Sequence, residues 1–318
     1  MTILVTGATG NVGRLVVRDA LGRGARVRAL TRNPGAAGLP AGAEVVAGDL
    51  ERPGSLRAAL EGVERMFLFP FADTAREVVA LAREAGVRRL VVLSSAAVTD
   101  GSDTTHHLPV ERAAEESGLE WTHVRPGEFM LNKLFLWGPS IRAERVVRDP
   151  FPDTAWAPVH EQDIADTAVA ALLEDGLTGR ALTLNGPAVL GHAEQVAAIA
   201  AAIGEEVRHE AVTREEARAL YRAQGGFAEA VADFLLGYVS YDGAPVDAAT
   251  DPGADPEANS GTNGASPEGT SPGGASSDGS DGGSGFPGED VPPGLRDALG
   301  RPGRTFASWA RDHAADFR

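Results

Sequence analysis

The chain has 318 residues, 43% of them hydrophobic, and a formal net charge of -16. That length can bury one large core, or one core with a small lobe. The acidity argues against nucleic acid or an anionic membrane surface as a partner, because both require basic patches. There are no cysteines, which excludes disulfides, a thiolate nucleophile and a cysteine metal site. No apolar run approaches the ~20 residues that span a bilayer, and the first residues do not resemble a signal peptide. A cytoplasmic protein without a membrane partner is the expectation.

Thr2-Ile3-Leu4-Val5-Thr6 reads as a buried strand and runs directly into Gly7-Ala8-Thr9-Gly10-Asn11-Val12-Gly13, after which residues 11–23 read as a helix. A strand that ends in a glycine turn and opens a helix cradles the diphosphate of a dinucleotide. The glycines supply a tight turn, close approach of backbone to phosphate, and close packing of helix on strand, and the helix N-terminus adds free N–H groups. Gly7, Thr9, Gly10, Asn11, Val12 and Gly13 are therefore candidate cofactor ligands.

Strands follow at 26–31, 44–47, 66–69, 89–93 and 121–124, alternating with helices near 55–61, 73–85 and 109–117. Such alternation with strands buried on both faces predicts an α/β fold of the Rossmann type, a doubly wound parallel sheet. NAD-selective members of such folds place an acid at the end of the second strand, whereas an arginine accommodates a 2′-phosphate. Thr31-Arg32 stands there without an acid, so NADP(H) is expected in preference to NAD(H), with Arg32 on the phosphate; the alternative is a solvated loop arginine. Asp49 and Leu50, after the third strand, lie where adenine is met. Phe69-Pro70 and Ser94-Ser95, after the fourth and fifth, should flank the ribose and nicotinamide, although serines and prolines end strands routinely.

Beyond 127 the rhythm loosens. Helical patterns near 128–136, 161–174, 192–203, 213–223 and 225–238, with short strands near 180–184 and 207–211, suggest a smaller, mostly helical lobe over the carboxyl ends of the strands. Residues 1–127 are thus expected to form the dinucleotide-binding domain and 128–242 a substrate lobe interleaved with it. Residues 243–290, rich in Gly, Ser, Pro and Asp, read as a disordered insertion. Residues 291–318 should return as a docking helix bearing Phe306 and Trp309. Phe71, Phe129, Met130, Asn132 and Trp137 are candidates for the wall of a pocket for a flat aromatic ligand, with ordinary lobe core as the alternative for each.

These motifs, together with Gly48-Asp49-Leu50, Leu93-Ser94-Ser95, Ser117-Gly118-Leu119-Glu120-Trp121-Thr122 and Val124-Arg125-Pro126-Gly127, resemble the NmrA-like family, a branch of the atypical short-chain dehydrogenase/reductases. The resemblance covers about 1–242 and 291–318. It implies NAD(P)H-dependent quinone or azo reduction, or redox-sensing regulation that binds dinucleotide without turnover. It also implies that the lysine position of isoflavone reductase-like relatives falls on His107 and the tyrosine position on Asp103; quinone reductases of the branch are similar in carrying histidine there and glutamate at the place of Glu111.

The Tyr-x-x-x-Lys pair of conventional short-chain reductases cannot exist here, because Lys133 is the only lysine and the only tyrosines are Tyr221, Tyr238 and Tyr241. His107 is the leading catalytic or nicotinamide-positioning candidate, with Ser94 beside it, since histidine titrates near neutral pH. Pro109 disfavours helical geometry at Leu108, so a loop position for His107 is left open. Reducing a ketone generates an alkoxide whose conjugate acid resembles water, near 15.7, whereas a quinone gives a phenolate-like anion near 10; the difference of ~5–6 units is roughly 7–8 kcal/mol. A chain without the pair suits electron-poor quinone-, azo- or nitro-like acceptors. Direct hydride transfer from NADPH to such a small conjugated molecule is the expected reaction, with no metal or flavin. The alternative is an NADP-sensing regulator, and a homodimer or protein partner is left open.

Overall fold

The computed structural model describes residues 1–246 and 294–318; the Gly/Ser-rich tract beyond residue 246 and Val291 to Pro293 lie outside the described residues. The central element is a seven-stranded sheet. Its amino-terminal part comprises β1 (Thr2–Val5), α1 (Gly13–Gly22), β2 (Arg26–Thr31), β3 (Glu44–Ala47), α2 (Arg57–Leu60), β4 (Arg65–Leu68), α3 (Ala75–Glu84), β5 (Arg89–Leu93), α4 (Leu108–Glu116) and β6 (Glu120–Pro126). The remainder comprises α5 (Asn132–Leu136), α6 (Gly138–Glu144), β7 (Val146–Asp149), β8 (Ala155–Trp156), α7 (Glu161–Leu173), β9 (Arg180–Leu184), β10 (Leu190–Gly191), α8 (His192–Ile203), β11 (Arg208–Ala211), α9 (Arg214–Gln224), α10 (Gly226–Leu235), α11 (Gly294–Leu299) and α12 (Phe306–Asp312).

The strand order is β3-β2-β1-β4-β5-β6-β9, every neighbour parallel. Side chains alternate across the sheet, as the two-residue strand period requires. Ile3, Val5, Phe67 and Val91 point into a layer with Val16, Val17 and Ala20 of α1 and Ile164 and Ala168 of α7. Leu4, Met66, Leu68, Leu90 and Val92 point into the opposite layer with Val78, Val79 and Ala82 of α3 and Val110 and Ala114 of α4. The chain order reverses between β1 and β4, so a crevice opens at their carboxyl ends, where doubly wound sheets take ligands.

Residues 161–173 and 180–184, grouped by their pattern with the lobe, belong to the sheet layers instead: α7 packs beside α1, and β9 pairs with β6 from Thr122↔Arg180 to Pro126↔Leu184. Without β9 the β6 edge would present a row of unpaired backbone groups. The lobe is built on a separate core in which Leu136, Trp137, Ile141, Val196, Ile199, Phe306, Trp309 and Phe317 meet. Trp309, on α12, is wholly buried against α8. Asp163 and Asp166 of α7 receive the guanidinium groups of Arg301 and Arg304, which ties the carboxyl-terminal segment to the sheet side of the molecule.

Candidate functional site

The turn after β1 has the geometry that its glycines dictate. Gly7 sits at φ +57, and Gly10 N–H closes onto Gly7 O at 2.9 Å. A Cβ at Gly13 would lie 2.1 Å from Gly7 O, and one at Gly10 3.2 Å from the same oxygen. Only hydrogen fits at residue 13, which is how α1 approaches the turn closely enough to offer its amino end. Gly10 and Asn11 are exposed and Thr9 is half-buried, whereas Val12 is buried beneath the turn. The Arg14 guanidinium donates to Thr9 O at 2.8 Å, placing at the turn a cation that the motif alone did not indicate.

Thr6 fastens β1 to β4. Its hydroxyl donates to Phe67 O at 3.0 Å and accepts Phe69 N–H at 2.8 Å. Phe69 is 44% exposed, and its ring lies so near Gly7 that a Cβ there would meet it at 3.1 Å. Gly7 and Phe69 are thus brought together, with Pro70 next and half-buried. Arg32 is exposed at the end of β2, and its guanidinium makes no hydrogen bond or ion pair among the described residues. Asp49, after β3, caps its own loop: its carboxylate accepts Glu51 N–H at 3.1 Å. Leu50 O accepts the Thr74 hydroxyl at 2.6 Å.

Ser94 and Ser95 follow β5. Ser94 is buried, its backbone N–H bonded to Val124 O at 2.7 Å. Its Oγ lies beside the Glu111 carboxylate without closing a hydrogen bond of normal geometry, and so remains unsatisfied. Glu111 is itself buried and takes a fork from Arg125, Nε to Oε1 at 2.9 Å and Nη2 to Oε2 at 2.6 Å. Burial alone would raise the Glu111 carboxyl; the Arg125 hydrogen bonds, with His123 and Ser94 nearby, together outweigh it and hold the group below its ordinary value. Glu111 therefore neutralises Arg125 in this structure.

His107 is neither on a free loop nor within the helix. It occupies the position before Leu108 with helical φ and ψ, and Pro109 is accommodated in the first turn, where a missing N–H costs nothing. Its ring Nδ1 is 2.5 Å from Asp103 Oδ2, and Asp103, fully buried, also accepts the backbone N–H groups of His106 and His107 at 2.9 and 3.0 Å. Tyr241, from the segment after α10, reaches the same place: its hydroxyl is 3.4 Å from His107 Nδ1, and the Ser95 side chain also bears on it. Neither motif nor spacing pointed to Tyr241, since 134 residues separate it from His107.

Of the pocket candidates, Phe71, Phe129 and Asn132 are half-buried. Met130 and Trp137 are corrected: they are 1% and 3% exposed inside the lobe core, Trp137 with the Lys133 ammonium 4.4 Å from its ring centroid and His192 against its edge. Their apolar bulk serves packing and offers no open wall. Exposed aromatic surface comes instead from Phe227 and Phe234 of α10, and Phe234 meets the Tyr241 ring edge-on at 5.2 Å.

A family model described as NAD(P)H-binding matches residues 7–175, from the glycine turn through α7. The chain belongs to this family. Within it the chain is an NmrA-like, atypical short-chain dehydrogenase/reductase. It is 40% identical to the (4-alkanoyl-5-oxo-2,5-dihydrofuran-3-yl)methyl phosphate reductase of Streptomyces griseus subsp. griseus, over 70% of this chain and 81% of the relative. It is 34% identical to the NAD(P)H azoreductase of Xenophilus azovorans, over 73% and 84%. In fold it is similar to an NADPH-dependent quinone oxidoreductase from Escherichia coli, with TM-score 0.69 and 23% identity over 98% of each chain. The triphenylmethane reductase of Citrobacter sp., solved with NADP(H), superposes with TM-score 0.68 and 19% identity over 99% and 100%. Among the described residues no helix is long and apolar enough to cross a membrane.

Proposed function

We propose that this NAD(P)H-binding protein is an NADPH-dependent reductase that acts on a small, electron-poor conjugated acceptor. The observation that carries the proposal is the turn at Gly7, Gly10 and Gly13, where Gly7 takes φ +57 and the lack of a side chain at Gly13 lets the amino end of α1 close onto the Gly7 carbonyl, the arrangement that cradles a diphosphate. The cofactor's diphosphate would lie on the amino end of α1 with Arg14 beside it. Its adenosine half would extend over β2 and β3, where Asp49 and Leu50 meet adenine and Arg32 takes the 2′-phosphate. Its other half would extend over β4 and β5, between Phe69-Pro70 and Ser94-Ser95, with His107 as a polar neighbour. Bound NADPH supplies two electrons as hydride.

The acceptor class rests on two supports. The chain has no Tyr-x-x-x-Lys pair, so acceptors whose reduced form is a stabilised anion need least from the protein. The relatives' names point the same way: an unsaturated lactone carrying an alkanoyl group and an azo compound are both electron-poor conjugated systems. Phe71, Phe129 and Asn132 would line the acceptor side. The experiment is a turnover assay with NADPH against a panel of quinones, azo dyes, unsaturated lactones and simple ketones. Oxidation of NADPH by the conjugated acceptors and not by the ketones is the expected result. Tight NADPH binding with no turnover on any acceptor would replace the reductase with a dinucleotide-sensing regulator.

A further inference from the structure

Reduction of a conjugated carbonyl or quinone needs a proton as well as a hydride, and this chain has no Tyr-x-x-x-Lys pair to supply it. We propose that Tyr241, carried in from the far lobe, is the residue that donates this proton; the assignment rests on the reductase proposal above.

The placement is specific. After α10 the chain turns at Gly237 and forms a short hairpin, with a bridge between Val239 and Pro245 and Ser240 N–H donating to Ala244 O at 2.7 Å. Its tip presents Tyr241 and Asp242. Asp242 grips the loop before α4, accepting the hydroxyl groups of Thr104 and Thr105 at 2.5 and 2.7 Å and their backbone N–H groups as well. Those bonds bring the Asp242 carboxyl down to about 2, so it is ionised and holds this grip throughout the neutral range. The latch sets Tyr241 over Ser95 and His107, at the carboxyl end of β5. That end lies two strands from β1 in the order β1-β4-β5, roughly 10 Å across the sheet.

The hydrogen bonding leaves the phenolic proton available. With a hydrogen on His107 Nδ1 directed at the Asp103 carboxylate, that nitrogen cannot accept from Tyr241. The tyrosine oxygen can share the Nδ1–H as acceptor, while its own O–H is free to point outward. Burial pushes the phenol above its ordinary value, with Ser95 opposing and the nearby carboxylates of Asp103, Asp100 and Asp242 adding to the rise, so it keeps its proton at neutral pH. The titratable groups facing it are His106, His107, Asp100, Asp103 and Asp242. As hydride adds to the conjugated acceptor, the electron pair moves to the acceptor oxygen. The Tyr241 O–H bond breaks, a new O–H bond forms on the acceptor, and the phenolate regains a proton from water.

The test uses the full chain and the variant Tyr241→Phe, which keeps the ring against Phe234. Two readouts are followed. The first is calorimetric affinity of the NADP⁺-loaded protein for 1,4-naphthoquinone-2-sulfonate, which cannot turn over in that state. The second is steady-state reduction of the same quinone by NADPH across pH. In Tyr241→Phe the quinone should bind about tenfold more weakly as one hydrogen bond is lost, NADPH affinity should stay within about twofold, and kcat should fall by about 100-fold, the lower range for a general acid. The alkaline limb of the pH profile should disappear. A variant with wild-type quinone affinity and an unchanged pH profile overturns the assignment and leaves the reductase proposal standing. Absence of turnover in the wild type overturns both. Should the variant fail to fold, the wild-type rate in heavy water decides: a slowed kcat supports proton donation, and an unchanged one overturns it.

Discussion

Asp103 holds His107 twice, accepting its backbone N–H at 3.0 Å and its ring Nδ1 at 2.5 Å. One buried carboxylate therefore fixes both where α4 begins and which way the imidazole faces. Asp103→Ala would strand the N–H groups of His106 and His107 and release the ring. A buried donor left unpaired costs about 1–3 kcal/mol, so a loss of roughly 2 kcal/mol in chemical denaturation is expected. Hydrogen exchange at residues 103–108 should quicken, and kcat should fall while NADPH affinity holds. Unchanged exchange across that loop would show that the carboxylate is not what orders it.

Gly13→Ala tests the glycine turn. The added methyl would meet the Gly7 carbonyl at 2.1 Å, and a backbone atom cannot swing aside as a side-chain tip can. The cost is expected to reach at least the ~1–3 kcal/mol of an overpacked core, with NADPH binding lost in calorimetry. Gly10→Ala, at 3.2 Å from the same oxygen, asks for a shift of only a few tenths of an ångström and should fold nearly normally, yet bind NADPH more weakly because that shift disturbs the turn that faces the diphosphate.

The contrast between Gly13 and Tyr241 explains how far the sequence could be read. The glycine turn, the strands and the helices on either face are local: each is written in consecutive residues with a two- or 3.6-residue period, and the parallel sheet follows from their alternation. The site's other half is not local. Tyr241 meets His107 through a hairpin latch across 134 residues, and no periodicity encodes that. Met130 and Trp137 are ambiguous in sequence for a related reason. An apolar residue in a lobe reads alike whether it faces a ligand or a neighbouring helix, and only the packing of α8 and α12 decides. The seventh strand was visible as a strand, but its membership of the main sheet depends on the β6 edge needing a partner.

The proposed preference for NADPH rests on Arg32. Its guanidinium is exposed and uncommitted among the described residues at the end of β2, and a charge-assisted hydrogen bond is worth about 1.5–3 kcal/mol. Arg32→Ala should weaken NADPH about tenfold or more and leave NADH unaffected, as measured by calorimetry with each cofactor. Equal losses for both would remove Arg32 from the 2′-phosphate.

The buried Glu111–Arg125 fork makes a separate prediction about stability. Arg125→Met leaves the Glu111 carboxylate, 1% exposed, without its partner, and breaking one side of a buried pair costs about 3–5 kcal/mol. Because Glu111 is held below its ordinary value in the folded protein, the pair's contribution is present above the ordinary carboxylate range and fades as pH falls through the lowered value. The deficit of Arg125→Met in urea denaturation should therefore shrink in acid, when Glu111 can bury itself protonated. A deficit independent of pH would mean that lost packing, not the stranded charge, dominates.

Docking of the carboxyl terminus should also depend on pH, in a window with two edges. Glu161 opens α7 and accepts from His313 Nε2 at 2.9 Å, and His313 also meets Asp316 at 2.9 Å. Burial would raise the Glu161 carboxyl, but the adjacent His160 side chain and the hydrogen bond from His313 together prevail and bring it down to about 2. The bond to Glu161, opposed by burial and joined by Asp316, raises His313 above its ordinary value. A raised histidine contributes stability that is complete below its unfolded value near 6.5 and is lost as pH rises through the folded value. A depressed carboxylate contributes above its unfolded value near 4.3 and loses the contribution as pH falls toward the folded one. The contact is therefore strongest between about pH 4.5 and 6.5. Hydrogen exchange in residues 306–317, taken relative to the base-catalysed intrinsic rate at each pH, should be slowest there and quicken toward pH 8. His313→Gln, which cannot gain a proton, should flatten the alkaline side; an equally steep rise in that variant would assign the pH dependence to another group.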